Sequence, residues 1–133
     1  MNKEVLKVKI NKLGENRIAV DIEVPAEDCQ SSFQSALNRL GSSIKLPGFR
    51  LGKVPKPVII QQVGLAKVKA SALEELIANS WKDAIHQKSI EPITEAQLKE
   101  ELQSLVNRFN PDQSVAFTLE VEIAYKEKSL IKD

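Results

Sequence analysis

The residues of this chain that could do covalent or acid–base chemistry are few and scattered. There is one histidine, His86, and one cysteine, Cys29, so neither can form a metal pair, a thiol couple or a nucleophile–base arrangement with its own kind. No phosphate-cradling glycine loop, HExxH or G-x-S-x-G occurs. Recognition chemistry is what the sequence concentrates. Leu46 to Pro57 reads LPGFRLGKVPKP, with Pro47, Pro55 and Pro57 set around Gly48 and Gly52, and with Phe49, Arg50 and Lys53 between them. Proline and glycine at this density make a loop, not a helix or strand. A guanidinium pairs bidentately with carboxylate or phosphate, and a neighbouring ring gains by leaving water. A docking device is expected here, with no catalytic residue, no metal and no cofactor.

The charge layout supports that reading. The chain has 19 Lys and Arg against 18 Asp and Glu, a net charge of +1. Yet residues 29–73 hold no acid at all and seven cations: Arg39, Lys45, Arg50, Lys53, Lys56, Lys67 and Lys69. The remaining residues hold twelve cations against eighteen acids. A basic surface of this kind attracts phosphate or acidic protein. Two other function classes compete at this point: an RNA-binding module using the whole tract 29–73, and a prolyl isomerase. Only six aromatic residues are present, which weighs against a base-stacking platform and against an isomerase pocket. Phe49 itself is either an exposed contact or a ring folded back onto its own helices.

The elements that must hold this loop follow from periodicity. At 133 residues, 42% hydrophobic and 28% charged, the chain is about one globular domain. Leu6, Val8 and Ile10 alternate with Lys7, Lys9 and Asn11; beyond Leu13-Gly14-Glu15-Asn16, Ile18, Val20, Ile22 and Val24 alternate with Ala19, Asp21 and Glu23. That predicts an antiparallel hairpin with Lys7 and Lys9 opposite Asp21 and Glu23. Pro25 opens a helix carrying Cys29, Phe33, Ala36, Leu37 and Leu40 on one face, and Gly41 is expected to stop it. Cys29 on that stripe reads as a packed thiol. Pro57–Gln62 suits one or two helical turns ending at Gly64, and Leu65–Lys88 a long helix with Leu65, Val68, Ala72, Leu76, Ile77, Ala84 and Ile85 inward and Trp81 at the margin. His86 then lies at the C-terminal end of that helix, where an imidazole is simply favourable.

Between Pro92 and Asn110, Leu98, Leu102, Leu105, Val106 and Phe109 fit a short helix capped by Thr94, while Glu91–Ile93 could instead add a strand. Val115, Phe117, Leu119, Val121 and Ile123 alternate with Ala116, Thr118, Glu120 and Glu122 as a last strand over 115–124. The fold class expected is α+β: a small antiparallel sheet, made of the N-terminal hairpin and the C-terminal strand, packed on two main helices with the basic loop extended between helices. No apolar run approaches the ~20 residues of a membrane span, the N-terminus lacks a signal-peptide core, and the lone cysteine suits a reducing cytoplasm.

Gly48-Phe49-Arg50-Leu51-Gly52-Lys53-Val54-Pro55 matches the pattern G-F-R-x-G-K-x-P and so resembles the signature of the trigger factor family, bacterial chaperones of the ribosomal tunnel exit. The resemblance covers essentially the whole chain. It implies a ribosome-binding N-terminal domain over residues 1–125 and a linker or tail over 126–133, leading in the family to a separate peptidyl-prolyl isomerase domain. No isomerase activity is expected of the present residues. It further implies that the loop docks on the large ribosomal subunit, against the protein beside the tunnel exit and adjoining rRNA. Phe49 would be the apolar anchor, Arg50 the chief charged contact and Lys53 the lysine of the motif. Gly48, Gly52 and Pro55 would set the shape, with Lys45 and Lys56 as supporting basic contacts. The family's contact is often a contiguous Phe-Arg-Lys; this chain has Leu51 at the third place, so Leu51→Lys tests whether a lysine there would tighten docking. The partners implied are the large ribosomal subunit, unfolded nascent polypeptides and, weakly, another copy of the chain, with no membrane, in the cytoplasm.

Overall fold

In a computed structural model, residues 6–124 are described. The predicted hairpin forms as β1 (Lys7–Gly14) and β2 (Arg17–Val24), joined through Glu15 and Asn16. Its register sets Lys7 opposite Glu23 and Lys9 opposite Asp21, as the charge pattern requires. The Asp21 carboxylate is nevertheless held by neutral donors, Asn11 Nδ2 at 3.0 Å and Thr118 Oγ1 at 2.7 Å. One face of β2 is closed completely: Ile18, Val20, Ile22 and Val24 are each no more than 1% exposed. A slip by one residue would expose all four, which is why the register is so well specified.

The chain then runs through α1 (Ala26–Gly41), α2 (Lys56–Val63) and α3 (Leu65–Lys88), followed by β3 (Gln97–Leu98), α4 (Leu102–Arg108) and β4 (Val115–Glu122). Strand β4 returns antiparallel beside β2, with Val20 facing Leu119 and Ile22 facing Phe117, and the sheet order is β1-β2-β4-β3. The expected α+β class holds, but the sheet has four strands where three were expected. The extra strand corrects the helix predicted from Leu98. Leu98, Leu102 and Leu105 are spaced like a helical stripe, yet Leu98 pairs with Leu119 and the Lys99 amide donates to the Thr118 carbonyl at 2.9 Å. Edge groups of β4 that would otherwise lack partners outweigh the local periodicity. Thr94 caps no helix; its Oγ1 accepts from the Glu122 amide at 3.1 Å. The strand alternative for Glu91–Ile93 is realised as a single bridge from Pro92 to Ile123.

Helices α1 and α3 pack together and close the inner face of the sheet. Cys29, Ala36, Val68, Ala72, Leu73 and Ala84 are fully buried, and Leu105 and Phe109 complete the core from the α4 side. Arg39 ties the two main helices at their surface through Glu75 Oε1 at 2.8 Å and Ser71 Oγ at 2.6 Å. Trp81 is half-buried at the core margin, as expected. Two expectations change in detail. Leu65 lies ahead of the packed stripe, which begins at Val68, and is 47% exposed. Helix α1 does end at Gly41, though not through a left-handed turn: Ser42 follows in right-handed geometry, the Arg39 and Leu40 carbonyls accept from the Ser42 and Ser43 hydroxyls, and the Gly41 carbonyl accepts from the Ile44 amide at 3.3 Å. A Cβ at Gly41 would overlap Ile59 Cδ1, so the glycine also admits the close approach of α2. The tail predicted over 126–133 lies outside the described residues.

Candidate functional site

The loop between α1 and α2 is anchored at its ends and free in the middle. Ile44 and Leu46 pack part-buried against the core on one side, and Val54, only 8% exposed, plugs into it on the other. Pro55 follows at once as the cap of α2, its carbonyl accepting from the Val58 and Ile59 amides at 3.0 Å. Between these anchors Pro47, Gly48, Phe49, Arg50, Leu51, Gly52 and Lys53 are all exposed.

Two consecutive turns shape the free part. The Phe49 amide donates to the Leu46 carbonyl at 3.2 Å, and the Lys53 amide to the Arg50 carbonyl at 2.9 Å. The third residue of each turn is a glycine with positive φ, Gly48 at 89° and Gly52 at 82°. An i to i+3 bond with φ > 0 at the third position is the type II pattern, and Pro47 at the second position of the first turn is the residue whose ring pre-sets the required φ. Nothing lies within 4 Å of where either glycine would carry a Cβ, so backbone conformation alone requires them. Phe49 and Arg50 sit at the junction, the last residue of one turn and the first of the next. Phe49 is 42% exposed and Leu51 57%. The ring is therefore not part of the core nor packed against it.

The charges divide into engaged and free. Arg39 is spent on Glu75, and the Lys56 ammonium donates to Gln34 Oε1 of α1. Lys45, Arg50 and Lys53 are exposed and form no ion pair among the described residues. The structure thus gathers Gly48 to Lys53 and Pro55 into one projecting element and keeps Lys45 at its approach, but turns Lys56 back toward α1. Sequence reasoning missed Val54. It is one of the motif's two variable positions, and only its place between a polar loop and a proline-capped helix marks it as an anchor.

The chain's one cysteine is buried and its one histidine exposed. Cys29 is wholly buried with its Sγ 3.8 Å from the Val24 carbonyl. Burial first, and the Asp28 carboxylate second, push its thiol from 9.0 to about 11, away from the reactive thiolate. His86 is exposed in the last turn of α3. Among the described residues no group of three or more His, Cys, Asp or Glu side chains could hold a metal ion, and no helix is long and apolar enough to cross a membrane.

The described residues form a four-stranded α+β body with an exposed, turn-locked loop of apolar and cationic side chains. The sequence model described as bacterial trigger factor protein matches residues 6–128. The chain is 47% identical to the trigger factor of Prochlorococcus marinus strain SARG, and 44% identical to that of Synechococcus strain CC9902, over 93% of its own length in each case. It belongs to the trigger factor family and corresponds to its N-terminal domain. The chain spans about a quarter of these relatives, 27% and 28%. A solved structure of the trigger factor chaperone, studied for promiscuous substrate recognition in folding and assembly, shares the fold with a TM-score of 0.69 over 88% of this chain and 26% of that one, at 23% identity.

Proposed function

We propose that this domain anchors a molecular chaperone to the large ribosomal subunit at the nascent-chain tunnel exit, in the cytoplasm, so that the full-length protein meets newly made polypeptides as they emerge. The observation that carries this reading is the loop. Two turns and a buried valine expend backbone order to display Phe49 and Arg50, neither of which the core uses. Phe49 supplies desolvation, Arg50 a directed contact to carboxylate or phosphate, and Lys53 and Lys45 add nearby charge. Pro47 and the glycine-locked turns lower the entropy lost when the loop docks. Isomerase activity belongs to another part of the full-length chain.

The rival reading, general RNA binding through the whole tract, is weakened because Arg39 and Lys56 are engaged within the domain. Co-sedimentation with ribosomes tests the proposal. The Phe49→Ala, Arg50→Ala double variant should lose binding while keeping its circular dichroism and melting temperature. If it sediments with ribosomes as the parent does, the docking assignment is wrong. Retention of protein-free rRNA with a steep salt slope would favour the RNA reading instead.

A further inference from the structure

Leu51 is one of the most exposed large apolar side chains among the described residues, at 57%, and the fold makes no use of it. It occupies the second place of the Arg50–Lys53 turn, a position compatible with most residues, so turn geometry does not demand leucine. The other strongly exposed apolar residues, Leu13, Leu65 and Ile93, lie far apart along the chain, whereas Leu51 and Phe49 stand two residues apart in the same loop. Isolated exposed leucines need no explanation, but a pair held out by ordered turns is a small apolar patch. Arg50 between them is free of any ion pair among the described residues.

We propose that Leu51 is a second apolar anchor of the docking loop, seated in an apolar recess of the ribosomal protein surface that the loop meets, beside the place taken by Phe49. This rests on the ribosome-docking reading above and specifies its contact. A phosphate-lined RNA surface would gain nothing from a leucine at this place, and a cation would serve it better. Burying the exposed part of one leucine predicts that Leu51→Ala weakens binding by about 5- to 15-fold. Because no charge is removed, the dependence of affinity on salt stays that of the parent, whereas Arg50→Ala flattens it.

The test is quantitative co-sedimentation or fluorescence titration with purified bacterial ribosomes at several salt concentrations. The proteins compared are the parent, Leu51→Ala, Leu51→Lys and the Phe49→Ala, Arg50→Ala double variant, each matched for melting temperature. Weaker binding of Leu51→Ala at unchanged salt slope, with no gain from Leu51→Lys, is the expected result. Leu51→Ala binding like the parent while the double variant loses binding would show Leu51 to be idle. Tighter binding of Leu51→Lys would show that the receiving surface wants a cation. A double variant that still binds would fail the docking reading itself.

Discussion

Gly52→Ala isolates what the loop's shape is worth. Gly52 holds φ at 82°, and no atom lies within 4 Å of a Cβ placed on it, so an alanine there meets no clash. The whole effect is conformational. Holding an L-residue in the left-handed region costs roughly 1–2 kcal/mol, and the stiffer unfolded chain returns about 0.5 kcal/mol, leaving a net loss near 1 kcal/mol if the turn is kept. For a domain of this size that lowers the melting temperature by about 3–5 °C. If the turn opens instead, global stability changes less and the loss moves into docking, because Arg50 and Lys53 are no longer held by their 2.9 Å bond. Gly52→Asn, whose side chain tolerates positive φ, should fall between parent and alanine in both readouts. Urea denaturation and ribosome co-sedimentation on the same samples distinguish the routes. An alanine variant unchanged in both stability and binding would refute the claim that the turn positions the contact residues.

Two further expectations concern the body of the domain. Cys29 has a thiol raised to about 11 in the folded state, against 9.0 ordinarily. Between those values the unfolded chain has lost its proton and the folded chain has not, so stability is fully present below pH 9 and declines as pH rises toward 11. Cys29→Ala should flatten that decline in denaturation curves taken across pH 8–11; a parent curve no steeper than the variant's would contradict it. Arg39→Ala removes an ion pair whose side chains are 48% and 35% exposed, so it should cost well under 1 kcal/mol in urea denaturation and leave the salt dependence of ribosome binding unchanged. A flattened salt slope would mean that Arg39 belongs to the docking surface after all.

Where one burial pattern dominates locally, the sequence was sufficient. β2 and β4 alternate because each has one face on the core, and α3 keeps an uninterrupted stripe from Val68. The loop was readable too, since proline and positive-φ glycine act through the backbone and leave marks at single positions. Most of the failures need a distant partner. Leu98 is apolar at helical spacing but is claimed by β4, and Thr94 looks like a cap but bonds Glu122. Ala19 was placed on the solvent face with Asp21 and Glu23, yet it is buried, flanked across the sheet by Asn11 and Glu120, the latter held down by Arg17 at 2.6 Å. The seven cations of the acid-free tract were countable; that Glu75 and Gln34 withdraw two of them was not.

The division between a closed body and a projecting tip bears on how tightly such a domain can dock. Phe49 and Leu51 are already about half covered in the free domain, so each gains only about 1–1.5 kcal/mol on full burial, and one charge-assisted contact from Arg50 adds about 1.5–3 kcal/mol. A contact sum of that size is comparable with the lower estimates of what association itself costs in lost freedom. Order imposed before binding then becomes decisive, and Pro47, Gly48, Gly52 and Val54 supply it within the free domain. A loop of this kind suits reversible docking, held by few contacts and sensitive to any loosening of its base. Tip and body are separable in physical terms: substitutions at Phe49, Arg50 and Leu51 should cost the core little, whereas substitutions at Val54 and the two glycines should alter the presentation of all three.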